Sequence, residues 1–171
     1  NPPQTPRDYN PTGAYRTTFT VPSDWKGEEV FLRFEKVASA SFLWVNGQEV
    51  GYNEGAQETA EYNITPYLKK GRNTLAMMVV KYSDGYYLEG QDYWRLAGIF
   101  DDVYLYATPK TRLFDWYVTT DLDKEYKDAD LRIEATVRSY DDVPVQTPLK
   151  VLAVLSDAEG KTVAELESQE A

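Results

Sequence analysis

The chain has 171 residues, of which 42% are hydrophobic and 14% aromatic; it has no Cys, no His and a net charge of −10. That length allows one full domain and part of a second. The charge argues against nucleic acid and anionic membranes as partners, and the missing Cys and His exclude disulfides, thiolate chemistry, Cys-based zinc and a Ser-His-Asp triad.

Residues 1–13 are Pro-rich, begin without Met or a signal-peptide pattern, and read as cut from something longer. They predict an extended surface segment closing in a turn at Pro11-Thr12-Gly13. Tyr15, Thr17, Phe19 and Val21 alternate with polar residues, which predicts a half-buried strand. Pro22-Ser23-Asp24 ends that strand and places Trp25 over a sandwich end. Val30, Leu32 and Phe34 alternate again, with Phe34 expected inside. Ser41–Val45 and Gln48–Tyr52 flank Asn46-Gly47, a hairpin signal because both turn residues must take φ > 0. Trp44, just before this turn, is expected in the core rather than as an exposed platform.

Asn53–Glu61 reads as a polar loop. Thr65-Pro66 predicts an N-cap and first residue of a single helical turn over Pro66–Lys69. Leu75–Tyr82 is apolar on both faces and predicts a central strand. Ser83–Phe100, SDGYYLEGQDYWRLAGIF, is a long loop with five aromatics. Loops held by strands at both ends carry recognition chemistry in all-β proteins. Glu89, Asp92 and Arg95 sit three residues apart in it; aromatic faces suit the C–H faces of a sugar, and a carboxylate suits its hydroxyls or a small cation. The same composition also fits a loop that buries its own aromatics and solvates its acids. A catalytic pair of Glu89 and Asp92 is disfavoured, since two acids on one short loop rarely face each other across a cleft. Asp102–Ala107 predicts a further strand.

Thr108-Pro109-Lys110 marks a boundary. Beyond it aromatics thin out, and residues 111–171 hold seven Lys or Arg against fourteen Asp or Glu. Strands are expected at Leu113–Thr119, Leu131–Arg138, Leu149–Leu155 and Thr162–Leu166, the last entered by a turn at Asp157–Gly160. The acid-rich Asp121–Asp130 lacks the Gly and terminal Glu of an EF-hand loop and reads as a solvated turn. No run of eighteen apolar residues occurs, so no membrane-spanning helix is expected. The compartment is left open between cytoplasm and periplasm. The pattern predicts an all-β fold: a galactose-binding-like jelly-roll sandwich over 1–110, then a partial immunoglobulin-like β-sandwich over 111–171.

Five segments carry a resemblance: NPTGAY (10–15), TFTVPSDW (18–25), SASFLWVNGQEVGY (39–52), EYNITPYLKKGRNTLAMMV (61–79) and SDGYYLEGQDYWRLAGIFDDVYL (83–105). In this order they resemble the N-terminal sugar-binding domain of bacterial β-galactosidases of glycoside hydrolase family 2. LWVNG and NITPYL resemble the family broadly, and the SDG-to-GIF run resembles the galactosidase branch. Residues 111–171 are similar, with weaker motifs, to the opening of the family's next domain.

The resemblance implies a retaining hydrolase of terminal β-galactosides, homo-oligomeric at full length, with this chain beside a catalytic (β/α)₈ barrel. The barrel would carry the catalytic glutamates and the magnesium ligands, so these 171 residues are expected to be inactive alone and to bind galactose weakly. The resemblance carries one site residue over. Asp92, the acid of the QD-WR motif, is implied to contact the galactosyl ring and to help hold a monovalent cation, usually sodium. Gly90 stands where the family pattern admits an acid. Glu89 and Arg95 are expected to shape the loop, for example as an ion pair. The alternatives are a self-sufficient carbohydrate-binding module and a purely structural sandwich.

Overall fold

The computed structural model describes residues 4–89, 92, 94–141 and 148–168. Residue contacts divide the chain into two compact units, one up to Pro109 and one from Lys110.

The first unit is an antiparallel jelly-roll sandwich. One sheet has the order β1 (Thr12–Thr20), β7 (Arg72–Val80), β4 (Ala40–Val45), β5 (Gln48–Asn53). The other runs β6 (Ala60–Asn63), β2 (Glu29–Phe34), β9 (Val103–Thr108). A two-stranded ladder joins β3 (Val37–Ala38) to β8 (Gly98–Ile99). The core follows the strand period of two: Leu32 and Phe34 from one sheet meet Leu43, Val45, Met77 and Val79 from the other. β7 pairs on both sides, so the strand expected to be central is central.

The Asn46-Gly47 hairpin forms as expected, with φ of 52° and 83° at the two turn residues. The Asn46 amide also ties the turn down. It donates to the Tyr67 carbonyl at 2.8 Å and to Asn73 Oδ1 at 2.7 Å, while its oxygen accepts from Thr74 N–H. Asn73 is fully buried and also bonds the backbone of Lys69 and Gly71.

Four expectations shift. Trp44 is not in the core: the alternation that buries Leu43 and Val45 turns Trp44 to the other face, half-buried beside Phe42. The Pro11–Gly13 stretch is not a turn, because β1 already begins at Thr12 and pairs with Val80. The helical turn spans Thr65–Tyr67 rather than Pro66–Lys69. The Thr65 hydroxyl accepts from Val30 N–H at 2.8 Å, so it serves a neighbouring strand instead of capping. The segment after Ser83 is not wholly irregular, since it opens with the short helix α1 (Asp84–Leu88).

The second unit contains two hairpins, β10 (Thr111–Leu122) with β11 (Ala129–Ser139), and β12 (Leu152–Ser156) with β13 (Thr162–Glu167). The register puts Trp116 opposite Ala135 and Val118 opposite Ile133, making one apolar face on the first hairpin. The acid-rich stretch is the hairpin loop. Asp123 organises it by accepting from the N–H groups of Glu125 and Lys127. Among the described residues, no helix is long and apolar enough to cross a membrane.

Candidate functional site

The segment from Ser83 to Phe100 is anchored at both ends. At its start the Ser83 hydroxyl caps α1 by accepting from Tyr86 N–H at 3.2 Å. The same hydroxyl lies 2.6 Å from the buried Ser39 hydroxyl. At its end, β8 pairs with β3, and Phe100 N–H donates to the Lys36 carbonyl. Upstream of the anchor, Tyr82 exchanges two backbone hydrogen bonds with the Asn10 side chain, at 2.8 and 2.9 Å. The sequence offers only turn chemistry at Asn10; a partner 72 residues away leaves no local signal.

The Asp-Gly of the SDG motif has a steric reason. A Cβ on Gly85 would come within 2.9 Å of Glu54 Cγ and 3.2 Å of its carbonyl, so only glycine lets α1 lie this close to the end of β5. Glu54 accepts from the Tyr52 hydroxyl at 2.6 Å and from Gly85 N–H at 3.4 Å. The Asp84 carboxyl beside it and then the hydrogen bond from the Tyr52 hydroxyl hold the Glu54 carboxyl below its ordinary range. Burial of the Tyr52 hydroxyl and its bond to Glu54 push that phenol up.

Glu89 and Arg95 both shape the loop, but they do not pair with each other among the described residues. The Glu89 carboxylate accepts from Ala56 N–H at 2.7 Å, tying the loop to residues 54–59. The Arg95 guanidinium lies over the Tyr86 ring, 5.3 Å from its centroid, and donates to the Tyr86 carbonyl at 3.4 Å.

Asp92 is exposed, in a turn, and takes no hydrogen bond or ion pair from the described residues. Gly90 lies outside the described residues. Among the described residues the Asp92 carboxylate thus has no partner, whereas those of Glu54 and Glu89 are engaged locally. Among the described residues, no three His, Cys, Asp or Glu side chains converge as a metal site.

Beside this turn lies a cleft of about 340 Å³. Trp94, Leu96 and Phe100 wall it, Ala38 and Ala56 form its floor, and Lys36 and Gln57 supply its polar groups. Of these, sequence reasoning singled out only Trp94 and Phe100, as members of an aromatic loop. Lys36, Ala56 and Gln57 arrive from distant segments and carry no motif.

Residues 1–109 match the family described as "Glycosyl hydrolases family 2, sugar binding domain". A β-galactosidase of Priestia megaterium is 46% identical over 139 residues, covering 81% of this chain and 13% of that protein. A β-galactosidase of Clostridium acetobutylicum is 40% identical over 163 residues, covering 95% of this chain and 18% of that protein. Among solved structures, a β-glucuronidase of Bacteroides uniformis superposes with a TM-score of 0.79 at 26% identity, covering 94% of this chain and 20% of that one. The chain thus spans less than a fifth of the length of either β-galactosidase.

Proposed function

Since the chain belongs to glycosyl hydrolase family 2 and carries its sugar-binding domain, we propose that it is the part of a β-galactosidase that flanks the glycoside site and lends it one carboxylate. Asp92 is that carboxylate. The observation that supports the reading most is the contrast within one segment. Glu89 and Arg95 are spent on fixing the loop, and Asp92 is left exposed without a described partner. A carboxylate on a segment anchored at both ends can accept hydrogen bonds from sugar hydroxyls, each worth about 1.5–3 kcal/mol with a charged acceptor.

The acid, the base and the nucleophile of a retaining hydrolysis would lie outside these 171 residues, in the remaining length that the relatives possess. The family resemblance also implies a monovalent cation, sodium. Asp92 fits as one hard oxygen ligand. The described carboxylates supply no set of three, so the other ligands would have to be backbone or water oxygens or groups beyond the described residues. A cation held there would supply fixed positive charge near a sugar hydroxyl. Magnesium would belong to the longer protein alone.

The test compares this chain with the longer protein on a nitrophenyl β-galactoside. Turnover is expected only from the longer protein; hydrolysis by the purified chain alone would reject the division of labour.

A further inference from the structure

Trp94, Leu96 and Phe100, which are 79%, 56% and 46% exposed, form an apolar wall in the first unit. Single exposed aromatics are ordinary, but a contiguous wall beside a cleft marks a binding surface. The cleft's volume, about 340 Å³, sits at the small end of ligand pockets. Its floor is preformed: Ala38 lies in the β3–β8 ladder, and Ala56 is held by the Glu89 carboxylate.

Its polar groups narrow the ligand. The Gln57 amide and the Lys36 ammonium take no partner from the described residues. An amide donates and accepts at once, which suits hydroxyls that do the same. An anion would need more than one free cation, and the Arg95 guanidinium nearby is engaged on Tyr86. A lipid chain would leave both polar groups unsatisfied. A pyranose offers a row of C–H bonds to an indole face and hydroxyls around its edge.

We infer that this cleft holds a pyranose ring, stacked on Trp94 and hydrogen-bonded by Gln57 and Lys36, and that in a β-galactoside this is the unit linked to the galactosyl ring that Asp92 would contact. The inference rests on the glycosidase reading for the ligand's class.

The test labels the 171-residue chain with 5-fluorotryptophan and titrates it with lactose, following the four tryptophan resonances by fluorine NMR. Trp94→Phe assigns the resonance. The Trp94 signal is expected to shift saturably, with a Kd on the order of 10 mM. Glucitol, which has the hydroxyls without the ring, is expected to leave it still. Gln57→Ala is expected to weaken lactose by about five-fold. Asp92→Ala is expected to weaken lactose as well, through its galactosyl unit, without changing the Trp94 shift reached at saturation. A Trp94 shift no larger than that of exposed Trp116, an equal response to glucitol, or no effect of Gln57→Ala would each overturn the assignment. The titration reads the Trp94 resonance and no hydrolysis, so its failure removes the cleft, whereas the glycosidase reading stands or falls on turnover by the longer protein.

Discussion

The Glu89 carboxylate accepts a hydrogen bond from the Ala56 backbone N–H at 2.7 Å, across 33 residues of sequence. This bond joins the loop of the candidate site to the polar segment after β5. It also fixes a floor residue of the Trp94 cleft. Glu89→Ala is expected to destabilise the first unit by about 1 kcal/mol, since a half-buried N–H loses a charged acceptor. Glu89→Gln, which keeps an acceptor oxygen, is expected to recover most of that loss. Urea unfolding of both variants measures it, and equal midpoints for wild type and Glu89→Ala would show that the tie contributes nothing.

A larger effect is expected at Asn73. Its fully buried amide serves Asn46, Lys69 and Gly71 together, so truncation leaves several buried groups unsatisfied. Asn73→Ala is expected to cost about 2–4 kcal/mol, and Asn10→Ala about half as much, because Asn10 bonds one residue near the surface. Thermal unfolding of the two variants gives the order, and a larger loss for Asn10→Ala would contradict this account of Asn73.

Acid sensitivity should trace partly to Glu35. The Tyr104 hydroxyl at 2.7 Å, then Arg33 and Thr59, hold the Glu35 carboxyl below its ordinary range. A lowered folded pKa means that stabilisation is present above the unfolded value and is lost as pH falls through the folded one. The loss should therefore appear below about pH 4.5, the ordinary value. Glu54, also lowered, titrates in the same window, so the contribution of Glu35 is a difference. Unfolding midpoints of Glu35→Gln are expected to fall less steeply with acid than those of wild type. Identical slopes would remove Glu35 as a titrating group.

Local chemistry made much of this legible in the sequence. Asn46-Gly47 demands positive φ at both turn residues, and the alternation through Val30, Leu32 and Phe34 demands a buried face; both appear as read. Trp44 departs from its expected place because size and hydrophobicity say "core", while the register set by Leu43 and Val45 says "other face". The bonds from Asn10 to Tyr82, from Asn73 to Asn46 and from Glu89 to Ala56 were invisible for another reason. Each joins a side chain to a group far along the chain, and nothing in the flanking residues encodes the partner. At the candidate site, residue types and spacing drew attention to Glu89, Asp92 and Arg95. The division between loop anchors and an acid with no partner among the described residues emerged only from the fold.

That division sets the last prediction, on Asp92 in the longer protein. Asp84 and Asp92 lie in the same segment, eight positions apart, and differ in what surrounds them. Asp84 stands in the first turn of α1 beside the Glu54 carboxyl, whereas Asp92 has no described partner. A carboxylate brought to a sugar hydroxyl fixes the ring relative to the reacting groups, and a misplaced ring costs orders of magnitude in rate. Asp92→Ala is expected to lower kcat/KM on a β-galactoside by about 10² or more, near 3 kcal/mol. It is also expected to blunt any activation by sodium or potassium, since one hard oxygen ligand is removed. Asp84→Ala leaves Glu54 its bonds from Tyr52 and Gly85 and is expected to lower kcat/KM by about three-fold or less. Circular dichroism and unfolding midpoints establish that both variants fold. Folded variants with equal kinetic losses and unchanged cation activation would place Asp92 among the loop's structural acids and end its assignment to the sugar.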